Sequence, residues 1–384
     1  MSEIVWAILF WLSVGLIIHS FVFYPLSLRL FPIRFKSPEA NDKFQPSIAI
    51  LIPARNEEVV IEEKIRNSLA LNYPAEKIEV LVGSDNSTDS TDRLVRECTD
   101  PRVKLHRFEG RNGKPKIMNS LVENTNAEIL LLTDANVTIW GDFSRFMRHF
   151  QDESVVAVGA ANRFVPRDCN DKMAKGEQAY RTFIESTKRL ETGIGGFSGL
   201  DGAAYAIRRS AWKPLPPTAM NDDIVSSYSA VINGQRVVFE PALVGMEHTG
   251  ISVGSEYRRR IRIGTLNWGT LVSYPGFLLP TRPIVAYTYF SHKAILWLLP
   301  VLMIVALLTN ALLCQYSNVY LALFVAQLTF YIAGALGGLA SAFGVKILIF
   351  YQVFSFVAVM TAFLIGGVRF FLGHSSAVWE RSER

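Results

Sequence analysis

The chain is poor in cysteine, and the three it has, Cys98, Cys169 and Cys314, are odd in number and far apart. That excludes a disulfide framework and a cysteine-spaced structural zinc, and it fits a reducing compartment. Charge is also sparse. Charged residues make up 19% of the 384 and hydrophobic ones 50%, so the chain is not disordered. The excess of base over acid is only +5, which suits an anionic membrane surface or a phosphorylated substrate and gives no argument for nucleic acid. There is no internal repeat and no low-complexity tract.

The apolar residues are concentrated in two blocks. From Ala294 to Val368 the only formal charge is Lys346, and before Arg29 the only one is Glu3. A spanning helix needs about 20 apolar residues, and Ile4 to Leu26 supplies one, with Trp6 and Trp11 near its outer end. A cleavable signal would carry basic residues ahead of a short apolar run; here Arg29, Arg34 and Lys36 follow it, and the positive-inside rule makes that flank cytoplasmic. The later block divides into roughly three spans, near 294–313, 319–340 and 347–369. Counting crossings from a cytoplasmic middle puts the C-terminus outside, whereas Arg369, Arg381 and Arg384 favour the inside. A re-entrant segment around Gly337, Gly338 and Gly344 would reverse the parity.

Between the blocks, over 41–250, composition turns to that of a soluble α/β domain. Strand-like and helix-like segments alternate: Ser47 to Ile52, Glu57 to Leu71, Ile78 to Gly83, Ser87 to Glu97, Val103 to Arg107, Lys114 to Asn124 and Glu128 to Thr133. This order predicts a parallel, wound sheet. Ligands of such sheets sit outside the carboxyl ends of the strands, and there the sequence is unusually polar. The first strand is followed by Pro53-Ala54-Arg55-Asn56-Glu57-Glu58, the second by Ser84-Asp85-Asn86-Ser87-Thr88-Asp89, and the fourth by Asp134-Ala135-Asn136.

Each of these segments has a functional and an ordinary reading. Asp85 suits hydrogen bonds from a base, while Ser87 and Asp89 read better as cap and first-turn acid of the next helix. Asp134 and Asn136 offer hard oxygen ligands for Mg²⁺ or Mn²⁺ shared with a diphosphate, or an Asx-turn. Gly110-Arg111-Asn112-Gly113-Lys114 has the flexible, cationic character of a phosphate loop. Asn221-Asp222-Asp223 precedes a helical pattern, as caps do; alternatively one of the two acids is a general base on an acceptor hydroxyl. Phe197-Ser198-Gly199-Leu200-Asp201-Gly202 is either a tight turn or a place where small residues admit an acceptor to the backbone. Finally, Tyr257 to Ile263 carries four arginines and leads into an aromatic and aliphatic stretch through Trp268, which reads as an interfacial helix whose arginine forks also suit a diphosphate.

The order P-A-R-N-E, S-D-N-S-T-D, G-R-N-G-K, D-A-N, N-D-D and R-x-x-R before membrane helices resembles the membrane-embedded family 2 glycosyltransferases, the group of cellulose, hyaluronan, chitin and poly-N-acetylglucosamine synthases. The resemblance implies an α/β GT-A nucleotide-sugar domain at 41–250 between an N-terminal transmembrane helix at 1–30 and an interfacial amphipathic region at 251–282. Transmembrane helices at 283–373 and a tail at 374–384 complete it. It implies a nucleoside cradle of Pro53, Ala54, Arg55, Glu57 and Asp85 with Lys114 beside it, and a metal site led by Asp134. Asn136 stands in the last place of the family's Asp-x-Asp motif, which leaves one ligand neutral. Asp223 takes the place of the catalytic base and Asp222 that of the acid before it. Arg259 and Arg262 fall at the Gln and Arg of Gln-x-x-Arg-Trp, but Ile263 replaces the Trp; Trp268 is the candidate substitute, with Ser198 and Gly199, on the acceptor side. The implied activity is inverting, metal-dependent transfer from a nucleotide-sugar, UDP-linked by resemblance, to a growing polysaccharide at the cytoplasmic face of the cell membrane, coupled to export of the polymer between the chain's own helices. Single addition to a lipid-linked acceptor and a silent nucleotide-sugar-binding protein are the alternatives.

Overall fold

A computed structural model describes residues 2–39, 41, 43–165, 172–196, 199–216, 221–248, 253–345 and 347–374. The chain enters through α1 (Ser2–Ile18) and α2 (Tyr24–Leu28), joined without a break by one π-helical turn. The domain that follows is built from β1 (Ile48–Ala54), α3 (Ile61–Leu69), β2 (Ile78–Asp85), α4 (Thr91–Glu97), β3 (Val103–Phe108), α5 (Lys114–Glu123), β4 (Ile129–Thr133) and β5 (Val137–Gly141). It continues with α6 (Phe143–Met147), β6 (Val155–Val165), α7 (Lys172–Ile194), β7 (Ala204–Arg208), α8 (Asp222–Ile232) and β8 (Arg236–His248). Beyond it come α9 (Val253–Ser273), α10 (Pro283–Tyr289), α11 (Ile295–Leu313), α12 (Asn318–Ala342) and α13 (Leu348–Phe371).

Among the described residues, eight strands form one sheet in the order β3-β2-β1-β4-β7-β6-β8-β5. The expected parallel winding holds for β3-β2-β1-β4. It fails beyond them, because β7 runs antiparallel to both β4 and β6, and β5 antiparallel to β8. The sequence reason is local. Each of the first three strands is followed by a helix that carries the chain back, whereas β4 passes into β5 through the turn of Asp134 to Asn136 with no crossover helix. β1 and β4 are buried along their whole length, as apolar runs covered on both faces should be. Shortening Leu131, which is fully buried, to alanine is worth about 2–5 kcal/mol. Gly83 lets α5 close onto β2: a Cβ there would lie 2.4 Å from Ile117 Cγ2.

Among the described residues, four helices are long and apolar enough to cross a membrane: Ser2–Leu28, Pro283–Leu313, Asn318–Ala342 and Leu348–Phe371. The second starts well before the expected 294 because its polar first turns are buried, with Thr288 and Ser291 fully enclosed. The re-entrant segment does not form. Gly337 and Gly338 lie inside an unbroken α12, where their missing side chains let α13 approach; a Cβ on Gly337 would meet the Phe350 carbonyl oxygen at 2.1 Å. The helix α9 packs against α13, Thr265 Oγ1 donating to the Gly366 carbonyl at 3.1 Å.

Candidate active site

The loops at the carboxyl ends of β1 and β2 interlock. Asn56 and Asn86 both adopt φ of 53°, a left-handed turn that asparagine tolerates, and this folds each loop back over its strand end. The Asn56 amide N–H donates to Ser87 Oγ at 3.1 Å, and Thr88 N–H donates to Asn56 Oδ1 at 2.8 Å. The Glu57 N–H donates to Thr91 Oγ1 at 2.8 Å, and Glu57 itself is buried. The expectation that Ser87 caps α4 is therefore corrected. That helix begins at Thr91, and Ser87 spends its hydroxyl tying the two loops, with Ser84 Oγ 2.9 Å away. Asp89 does serve the helix start, accepting from Thr91 N–H at 3.0 Å. Pro53 and Ala54 are the last residues of β1, so the predicted cradle begins inside the sheet and Arg55 stands at its rim.

A carboxylate hinge joins this pair to the glycine loop. Asp85, buried at the end of β2, accepts the backbone N–H groups of Asn112 at 2.7 Å and Gly113 at 3.1 Å, one on each oxygen. This closes the loop so that Lys114 opens α5 toward the end of β4. Lys114 Nζ lies 3.0 Å from Asp134 Oδ1 and 3.2 Å from Asp222 Oδ2, bridging the end of β4 to the first turn of α8. Burial alone would lower the Lys114 pKa, but the charges of Asp134, Asp222 and Asp223 outweigh it and hold the ammonium protonated well above the usual lysine range.

Asp222 and Asp223 occupy the first turn of α8, where the helix dipole favours negative charge, and the N-cap residue Asn221 makes no side-chain cap. Asn221 Nδ2 instead reaches α9, donating to Thr270 Oγ1 at 3.0 Å. Asp223 Oδ1 accepts the Ile224 N–H at 2.8 Å. Its carboxyl is pushed up to about 7, first by burial, then by the like charges of Asp222 and Asp201, with the Ile224 bond and Lys114 working against them. A carboxylate in this range suits a general base at neutral pH. Gly202 faces it: a Cβ there would sit 3.8 Å from Asp223 Oδ2, so the absent side chain leaves room beside the acid.

The turn between β4 and β5 is held from beneath by a residue that the motifs gave no reason to notice. Lys64 of α3 is buried and donates to Thr133 Oγ1 at 2.8 Å and the Val137 carbonyl at 2.6 Å. Burial draws its pKa down to about 7 against the pull of Asp134. Above the turn, Asn136 Nδ2 donates to Glu247 Oε1 at 3.0 Å, and Arg259 Nη1 lies 3.4 Å from the same oxygen. Glu247 also escaped the sequence reading. It belongs to no motif, and only the antiparallel register of β5 with β8, which pairs Val137 with Glu247, brings it here.

The described residues contain no group of three or more His, Cys, Asp or Glu side chains able to hold a metal by themselves. The oxygens of Asp134 and Asn136, with Glu247 adjacent, nevertheless fit a hard cation that takes one or two carboxylates and completes its shell with substrate phosphates. The Asn136 amide nitrogen is engaged, so its oxygen is the atom that would face a cation.

The structure thus brings Lys114, Asp134 and Asp222 into direct contact, with Asp223 next in the chain, Asp85 holding the loop that leads to Lys114, and Asn136 and Arg259 meeting on Glu247. Arg262 lies about one turn beyond Arg259 and is exposed. Trp268 lies elsewhere. Its ring packs on Gly367 and Phe371 of α13, while Thr270, two positions on and so on the opposite face of α9, meets Asn221. Gly199 is buried just ahead of β7, at φ 63°. Ser198 lies outside the described residues. The nearby Asp201 pairs with Lys188 of α7 at 2.7 Å.

Residues 46–264, more than half the chain, match the family described as glycosyltransferase like family 2. A search among curated proteins finds no match. Among solved structures, the mannosyltransferase PcManGT from Pyrobaculum calidifontis, in complex with GDP-Man and Mn²⁺, superposes with a TM-score of 0.73 at 20% identity, covering 97% of this chain and 99% of its own. That likeness establishes a shared fold, a mixed sheet of the GT-A glycosyltransferase type. GalNAc-T7 with UDP, GalNAc and Mn²⁺ (TM-score 0.42, 12% identity, 60% and 51% covered) and TarS of S. aureus (0.40, 16%, 69% and 49%) are more distant.

Proposed function

The chain belongs to glycosyltransferase like family 2, and from that premise we propose that it moves a sugar from a nucleoside-diphosphate donor to an acceptor hydroxyl at a membrane surface, with inversion. The observation that carries this reading is the Lys114 bridge between Asp134 and Asp222, with Asp223 the next residue of the same helical turn. One cation thereby links a carboxylate suited to a metal–diphosphate to the segment that holds the base.

In this reading the loops around Asn56, Asp85 and Gly113 seat the nucleoside, with Pro53, Ala54, Arg55 and Glu57 forming its cradle. Asp134 and Asn136 would hold Mg²⁺ or Mn²⁺, which would supply neutralisation of the charge on the leaving diphosphate. Lys114 shifts from its carboxylate partners toward the diphosphate as that charge develops, and Arg259 and Arg262 flank the same side. Asp223 accepts the proton of the acceptor hydroxyl as its oxygen attacks the anomeric carbon opposite the departing group. The new C–O bond forms as the bond to the diphosphate breaks, which inverts the centre. The space beside Gly202 admits the acceptor. Residues 41–250 form the catalytic domain, 251–282 the interfacial region, and the cytoplasmic face of the cell membrane is the place of reaction.

The span arrangement favours single addition to a lipid-linked acceptor over extension of a polysaccharide. A Cβ on Gly337 of α12 would meet the Phe350 carbonyl of α13 at 2.1 Å, and α13 meets α9 at Thr265 and Gly366, so the last two spans close directly on their neighbours at these points. The packing of Trp268 onto α13 agrees, since this ring was the one offered to hold a growing chain. Membranes carrying the protein, incubated with a panel of UDP- and GDP-sugars and Mg²⁺ or Mn²⁺, test the proposal by nucleotide release and product size. A single glycolipid supports the preferred reading, a ladder of lengths supports the polymerase, and no release with any donor refutes transfer.

A further inference from the structure

We propose that a cationic cleft beneath the end of the first span binds the phosphate of an anionic phospholipid headgroup. The cleft encloses about 480 Å³ between the chain leaving α2, the last turns of α7 and the first residues of β8. Five lysine and arginine side chains line it, with His149, against a single carboxylate, Glu240. That carboxylate is taken, by His149 Nε2 at 2.9 Å and Arg145 Nε at 3.3 Å. Arg236 pairs with Asp152 at 2.7 Å and lies 3.6 Å over the Phe35 ring. Arg29, Lys36 and Arg189 remain, exposed and without an ion-pair partner among the described residues. Three like charges held around a hollow repel one another until an anion enters.

The surroundings are fixed and point to a lipid. The Arg34 and Phe35 N–H groups both donate to the Gly193 carbonyl, at 2.9 and 3.1 Å, locking the outgoing chain to the end of α7. Tyr24 and Leu28 pack with Ile194 and Leu190, which sets Arg189 at the level where the span ends. Arg29 directly follows Leu28, the last residue of that span, so the cleft opens at headgroup depth. It is separate from the candidate active site: β8 gives Arg236, Val238, Phe239, Glu240 and Pro241 to the cleft and, past a bulge, Glu247 to the site, and the β6 partners of Glu240 and Glu247, Ala160 and Phe164, lie about 13 Å apart. The inference rests on Ser2–Leu28 crossing the bilayer and not on the transfer chemistry, so its test uses no donor.

The full-length protein is placed in phosphatidylcholine nanodiscs containing a minor fraction of phosphatidylglycerol, and the lipid retained on extraction into detergent is measured by native mass spectrometry. A basic residue at an anionic surface is worth roughly fivefold in binding. The variant Arg29→Gln/Arg189→Gln should therefore lose retained phosphatidylglycerol by about twentyfold, and Arg29→Lys/Arg189→Lys should keep most of it. Arg34→Gln, on the same flank but outside the cleft, should retain as the unmodified protein does. Unchanged retention in the double glutamine variant, or an equal loss in Arg34→Gln, overturns the site. A second arm adds inorganic phosphate in excess; displacement of phosphatidylglycerol by it overturns the lipid assignment in favour of a soluble anion. Thermal midpoints check folding, and if the double variant unfolds, Arg189→Gln alone should show the fivefold loss, its absence again overturning the site.

Discussion

Replacing Lys114 by methionine keeps the length of the side chain and removes the one charge that bridges Asp134 and Asp222. The two contacts, at 3.0 and 3.2 Å, are neither surface pairs nor fully enclosed, since 21% of the lysine side chain, 30% of Asp134 and 15% of Asp222 remain accessible. Exposed pairs contribute about 0–1 kcal/mol and breaking buried ones costs about 3–5, so the intermediate case is worth about 2–3 kcal/mol. For a domain of this size that corresponds to a fall in melting midpoint of about 5–10 °C. The same substitution leaves Asp134, Asp222 and Asp223 facing one another without compensation, and a divalent ion then acts as the missing cation. An ion at a hundredfold excess over its dissociation constant returns about 2.7 kcal/mol, enough to offset the loss. In the unmodified protein the ammonium competes for the same carboxylate, so the gain from the ion alone is smaller. The assay is intrinsic-fluorescence melting of the purified protein in detergent with and without MnCl₂. The expected result is that Mn²⁺ raises the midpoint of Lys114→Met several degrees more than that of the unmodified protein, while transfer stays about 10²–10³-fold reduced because no ammonium meets the leaving diphosphate. Equal melting of the two proteins without metal, or equal shifts with it, would refute the reasoning.

Asp223 sets the expected pH dependence: its carboxyl is half ionised near pH 7, so kcat/KM should rise through about 7 and level off above it, and Asp222→Asn should move that limb down by about one unit. Because the folded state holds this proton more tightly than the unfolded chain, stability should decline as pH rises from about 4 to 7, which urea unfolding at a series of pH values measures. Glu247→Gln, which loosens both Asn136 and Arg259, should raise the half-saturating Mn²⁺ concentration by about 10–100-fold with a smaller effect on kcat, as removal of a ligand's support does. Gly202→Val should raise the acceptor KM while leaving donor binding unchanged, as two-substrate kinetics would show. Gly337→Leu should lower the thermal midpoint by separating α12 from α13, with donor affinity unaltered in the protein that remains folded.

The parts of the molecule legible in the sequence were those encoded by local pattern. The apolar runs gave the spans, and the alternation of runs with helical segments gave β1 to β4 and the acidic loops at their ends. What escaped depended on contacts far apart in the chain. The antiparallel second half of the sheet follows from β7 inserting beside β4, Thr133 with Ala204, a pairing that no periodicity announces. Glu247 and Lys64 carry no motif and reach the Asp134 turn only through strand register and helix packing. Serine ahead of a helix usually caps it, yet the left-handed Asn86 turns Ser87 toward Asn56 instead. Distance along the chain offers Trp268 as the substitute for the missing Trp, whereas helix geometry sets it on the opposite face of α9 from Thr270.

Two carboxylates, one ending β4 and one opening α8, are held here to serve a single transfer in different ways. Calorimetric titration of a turned-over nucleotide-sugar with Mn²⁺, paired with nucleotide release, separates their roles in Asp134→Ala and Asp223→Asn. The account requires Asp134→Ala to lose metal-dependent donor affinity and Asp223→Asn to bind donor as the unmodified protein does while releasing no nucleotide. Normal donor binding by Asp134→Ala, or sustained turnover by Asp223→Asn, would contradict it.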